Sequence, residues 1–192
     1  PLPDFGGLHP DPNPVDAAGL VAESRTPGAP DLLAASDGLL SEVRHNLRDM
    51  ATIAASLTDG ELHATLLSPT QKGSAEYTKL QEPYRMLLKA DPELSFIYTL
   101  ILKNDKVYFI TDLASDTAIS DTGIERKSTA DIMEEYPDTT DAMMEALREH
   151  RIVIENQTYS DEWGNFISGY APIFDKNMKP IGIVGVDLDA TQ

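Results

Sequence analysis

The stretch LSFIYTLILKNDKVYFITD, residues 94–112, decides the fold. Both of its ends are rich in β-branched and aromatic residues, and between them lies Lys103-Asn104-Asp105-Lys106. Side chains that pack well on a pleated surface flank two residues that tolerate a left-handed backbone. That pattern predicts a β-hairpin.

Downstream, strands are expected at Ile152–Asn156, Phe166–Phe174 and Pro180–Leu188, separated by turns at Trp163-Gly164-Asn165 and at residues 175–179. The intervening connector holds eleven acidic and three basic residues between Asp112 and Glu149, with helical patterns near 128–135 and 139–149. Five strands with a hairpin at either end imply a mainly antiparallel sheet, with the connector crossing over one face.

Upstream the period changes. Leu33, Ser36, Leu40, Val43, Leu47, Met50, Ala54 and Leu57 follow a 3-4 spacing, widened by Leu32, Leu39 and Ile53. They predict one long helix of about 40 Å at about 1.5 Å per residue. Asp31 is its expected N-cap and Gly60 its expected stop. The apolar face either lies on the domain's own sheet or forms a parallel dimer seam continuing a membrane helix. A short helix over 61–68 and another from Ser74 to Ala90, ended by Asp91-Pro92, complete the helical region. Residues 1–30 carry seven of the thirteen prolines and predict an extended arm. The expected layout is therefore an arm over 1–30, helices over 31–92 and a sheet with crossover over 93–192. Residues 31–192 would form one domain.

Composition narrows the function. Of 192 residues, 32 are acidic and 15 basic, and the formal net charge of −17 would be repelled by phosphate backbones and anionic lipid. No cysteine is present, so disulfides and thiolate chemistry are excluded. Histidines occur only at 9, 45, 63 and 150, without metal-ligand spacing or a clear partner for a nucleophilic serine. With no histidine in residues 64–149 and no cysteine, haem or a flavin adduct is not expected, and no cofactor is assigned. No phosphate-binding glycine loop or EF-hand loop is found. The chain begins at Pro1 and ends just after a hydrophobic strand, so it is expected to be part of a longer protein.

The segment Tyr159-Ser160-Asp161-Glu162-Trp163-Gly164-Asn165-Phe166-Ile167-Ser168-Gly169-Tyr170-Ala171-Pro172-Ile173-Phe174-Asp175, followed by Pro180 to Asp187, resembles the C-terminal half of Cache domains. These are the PAS-like extracellular sensors of bacterial receptors. The hairpin strands around Ile97-Tyr98-Thr99-Leu100 and Tyr108-Phe109-Ile110-Thr111-Asp112 resemble the family's first two, so the likeness covers roughly residues 31–190. It implies an α+β fold, a long N-terminal helix packed on a five-stranded antiparallel PAS-like sheet with a helical crossover. It also implies a periplasmic position between two membrane helices of an inner-membrane protein. Such domains feed diguanylate cyclases, nucleotide cyclases, histidine kinases or chemoreceptors.

Side-chain parity then points to a site. If Asp187 faces inward, so do Gly185 and Ile183. Ser168, Tyr170 and Pro172 share one face, as do Phe96, Tyr98 and Leu100, and as do Tyr108, Ile110 and Asp112. The expected pocket lies between this face and the crossover and takes a small polar molecule. Asp187, within an apolar strand, either anchors a ligand ammonium or hydroxyl or caps local amides. Tyr98 and Tyr170 line the pocket or complete the core. Trp163 is a stacking lid or the plug of its turn. Asp112 caps its loop or joins the site. Arg126, with Lys127, meets a ligand carboxylate or stays solvated.

The reading is a sensing domain, not an enzyme, and a homodimer through its first helix. Its rivals are a ligandless dimerisation module, with the sheet face packed solid, and a hydrolase with a nucleophile beside a base.

Overall fold

The computed structural model describes residues 32–115, 129–161 and 164–190. The proline-rich arm, Asp31, Trp163, Arg126 and Lys127 lie outside these residues. Among the described residues the elements are α1 (Leu32–Leu57), α2 (Gly60–His63), α3 (Ala75–Ala90), β1 (Leu94–Lys103), β2 (Lys106–Ala114), α4 (Asp141–Glu149), β3 (Val153–Ile154), β4 (Tyr159–Asp161), β5 (Gly164–Phe174) and β6 (Pro180–Asp189). A 3-10 turn over Pro69–Gln71 joins α2 to α3.

The strands form one antiparallel sheet in the order β2-β1-β6-β5-β3, with β4 also paired to β5. This is the expected α+β architecture with one strand more than the sequence suggested. The hairpin is as read: Asn104 and Asp105 have φ of 52° and 57°, the primed turn that matches the twist of the flanking strands. At the other hairpin Asp175 Oδ1 accepts from the Asn177 and Lys179 amides at 2.8 and 2.9 Å.

α1 and α3 cover one face of the sheet, and α4 covers the other. Leu47, Ala51 and Ala54 bury the inner side of α1 against Ile97, Ile167, Val184 and Val186. The predicted heptad face is split, because Leu40 and Leu57 are exposed along with Leu39 and Ile53. Two stripes on one helix serve two directions, one inward and one outward.

Three expectations fail for identifiable reasons. Gly60 does not stop α1; it opens α2, which Asp59 caps. A Cβ at Gly60 would sit 2.1 Å from the Phe174 carbonyl oxygen, so glycine is required by close approach to the β5–β6 hairpin. The short helix expected over 61–68 is the single turn of α2, and the chain tightens again only at Pro69–Gln71.

The helix expected near 128–135 is also absent from its described part. Met133 has φ of 64°, and the segment turns to lie along the outer edge of β2. There Phe109 N–H donates to Glu134 O, Met133 N–H to Phe109 O and Tyr136 N–H to Val107 O, at 2.7–3.0 Å. Edge hydrogen bonds outcompete the helical ones at this point.

Candidate functional site

Strand register builds the site. Tyr98 on β1 and Tyr170 on β5 both pair with Gly185 on β6, and Phe96 and Ser168 both pair with Asp187. Directly paired residues share a sheet face, so two rows lie side by side beneath α4. Gly185 is needed there, since a Cβ would approach the Tyr98 ring at 2.3 Å.

In the first row Asp187 is 4% exposed and accepts through Oδ1 from the Tyr98 hydroxyl at 2.9 Å and from Ser168 Oγ at 2.5 Å. The Tyr159 hydroxyl lies 3.0 Å from Ser168 Oγ and carries the network outward to a half-buried position on β4. A carboxylate this deep is tolerable only because donors meet it.

A second carboxylate lies beside the first. Glu155 is 7% exposed, and its Oε1 accepts from the Tyr170 hydroxyl at 3.2 Å and from the Thr140 hydroxyl. Thr140 is also the N-cap of α4, accepting from Met143 N–H at 3.1 Å. Thr140, Glu155 and Tyr170 thus tie the start of α4 to the sheet.

Burial sets the electrostatics. Desolvation, followed by the charge of Asp187, holds the Tyr98 hydroxyl well above the ordinary phenol pKa. Tyr170 is raised in the same way, by desolvation first and then by its neighbours Tyr159, Asp187 and Glu155. The Glu155 carboxyl is also pushed up, chiefly by burial. Both tyrosines are therefore donors throughout the physiological range. Around them Phe96 packs edge-on against Phe166 at 5.4 Å, and Tyr98 against Phe109 at 5.9 Å.

Of the expected site residues, Asp187, Ser168, Tyr98 and Tyr170 come together. Asp112 joins their face, paired with Tyr98, and its Oδ2 accepts from Ala130 N–H at 2.8 Å. Tyr108 does not. A bulge between Thr99 and Leu100 leaves Ile110 unpaired, so Tyr108 pairs with Ile101 and faces away from Asp112. Trp163 and Arg126 lie outside the described residues.

Sequence reasoning missed Tyr159, Glu155 and Thr140. Glu155 carried part of the signal that singled out Asp187, a carboxylate directly after the apolar run Ile152-Val153-Ile154. Among the described residues no three acidic or histidine side chains gather as a metal site, and no helix is long and apolar enough to cross a membrane.

No family model matches the chain. A 38-residue stretch is 60% identical to a phosphoglucomutase of Rhizobium radiobacter, covering 20% of this chain and 7% of that protein. The chain is similar to the solved ligand-binding domain of the Campylobacter jejuni chemoreceptor Tlp3 in complex with 4-methylisoleucine, at 18% identity and a TM-score of 0.48. It is also similar to the periplasmic sensory domain of the Campylobacter jejuni chemoreceptor Tlp1, at 13% identity and a TM-score of 0.45. Each similarity takes in 83% of this chain, which spans 56% and 60% of those two solved chains. What those domains bind is a property of those domains.

Proposed function

We propose that residues 31–192 form the extracytoplasmic sensing domain of a membrane-anchored signalling receptor, and that it binds a small polar molecule at the Asp187 network. One observation carries this reading. Asp187 and Glu155 are both buried on the same sheet face, among tyrosine and serine hydroxyls, and the hydroxyl chain leads from Asp187 out to Tyr159. A purely structural core gains nothing from two carboxylates that apolar residues could replace. Acceptor oxygens ringed by hydroxyls suit a ligand ammonium or hydroxyl group.

Binding would act through the Thr140–Glu155–Tyr170 tie, which couples the site to α4. A ligand shifts such an arrangement only as far as its affinities for the two states differ. The outward stripe of Leu39, Ile53 and Leu57 on α1 supports a homodimer through that helix, with membrane helices flanking the domain in the parent protein. The fragment itself is read as a binding module and not as an enzyme.

The test is a thermal-shift screen of amino acids, amines, short carboxylates and nucleosides, with Asp187→Ala run beside the parent. A ligand at a hundred times its dissociation constant adds about 2.7 kcal/mol of stability. A hit lost in Asp187→Ala supports the reading. Silence across the library, with an equally stable mutant, replaces it with a ligandless dimerisation module.

A further inference from the structure

A second concave surface lies between α3 and the end of β2, and it meets the Asp187 face at Asp112. It is a cavity of about 680 Å³, within the size range of small-molecule sites. Its polar lining includes Lys72, Tyr77, Gln81, Arg85, Lys89 and Asp112.

Three features set it apart from ordinary surface. Three cations border one cavity in a chain whose net charge is −17. Lys72 is committed to Asp131 at 2.5 Å and to the Thr129 carbonyl at 3.0 Å, whereas among the described residues neither Arg85 nor Lys89 makes an ion pair. Finally, Tyr77 is 5% exposed and its hydroxyl, which lies beside Gln81 and the Asp112 backbone, completes no hydrogen bond. An unsatisfied buried hydroxyl is costly unless something else fills the role. Arg85 lies close enough to act electrostatically on that hydroxyl, and its guanidinium donates to Gln81 Oε1 at 2.6 Å, which fixes the fork in place.

We infer that this cavity binds a short monocarboxylate. The Arg85 fork grips the carboxylate, the Tyr77 hydroxyl donates to it, and Lys89 adds charge from the rim. Leu88, Pro92 and Leu113 supply an apolar wall for a short tail. Phosphate has no tail to lay on that wall, so a carboxylate with a short apolar chain suits the site better.

Isothermal titration calorimetry of the whole chain with butyrate, and separately with inorganic phosphate, tests this. Butyrate is expected to bind, phosphate to bind more weakly, and Arg85→Met or Tyr77→Phe to weaken butyrate at least tenfold. Tyr77→Phe removes a single oxygen, so circular dichroism should find it folded. Asp187→Asn is expected to leave butyrate binding unchanged, which separates this site from the sensing site proposed above. Absence of butyrate binding overturns the inference, as does binding unaffected by both substitutions, binding abolished by Asp187→Asn, or a preference for phosphate.

Discussion

The sheet face under α1 and α3 packs Leu47, Ile97, Val184 and Val186 together, and it holds a closed polar chain. There His63 Nε2 lies 3.0 Å from Thr99 Oγ1, which lies 3.2 Å from Thr111 Oγ1. The face beneath α4 instead buries Asp187 and Glu155 among tyrosines, and its hydroxyl chain reaches a half-buried residue, Tyr159. Both chains are held by internal hydrogen bonds. They differ in what they leave over: the first chain ends inside the core, while the second reaches towards solvent. The first arrangement is suited to holding the fold and the second to meeting a ligand.

The sharpest challenge to this contrast is Ile97→Ala, which empties the helix-side core. It should cost about 3–4 kcal/mol in chemical denaturation while the affinity for any hit from the ligand screen stays unchanged. A large affinity change would show that the two faces do not act separately.

Next in size is the pH response of the helix side. Burial lowers the His63 pKa to about 4, so between pH 4 and 6.5 the unfolded chain binds the extra proton. Stability from this group is therefore complete above pH 6.5 and lost as the pH falls towards 4, a change of roughly 3 kcal/mol. His63→Gln should remove that slope in denaturation curves recorded across the range.

Asp187→Asn keeps an acceptor for Tyr98 and Ser168 and should cost only about 1 kcal/mol of stability, yet abolish ligand binding. Unfolding as severe as that of Ile97→Ala would mean that both faces are structural.

The smallest effect belongs to Glu155, whose raised pKa gives the opposite slope. Just above the ordinary carboxylate value the folded state holds the proton more tightly, so this group lowers stability as pH rises. Glu155→Gln should therefore steepen the rise in stability seen between pH 4 and 6.5. A flatter curve would show that Glu155 is not held in the buried position described.

Much of this arrangement was legible in the chain. The turn at Asn104-Asp105, the period-two strands and the inward parity of Asp187, Gly185, Ser168, Tyr170 and Tyr98 all follow from residue type and spacing. Tyr108 was misplaced because parity counting assumes unbroken pairing, and one unpaired residue at Ile110 reverses every side chain on the far side of it. Gly60 was misread because a glycine demanded by a neighbour 114 residues away, Phe174, looks locally like one demanded by a helix end. Tyr159 escaped because three residues of strand carry too little periodicity to register. Thr140 was invisible because its second partner, Glu155, is brought to it only by the fold.

The segment from Met133 to Tyr136 has a consequence for the life of the protein in crowded surroundings. A strand at the end of a sheet is a template on which another chain can add, the first step towards aggregation. By bonding to Val107 and Phe109, this segment occupies part of the β2 margin with the protein's own backbone. Any variant that frees the segment would offer that margin to a neighbouring copy, and its damage would appear as lost solubility before lost binding.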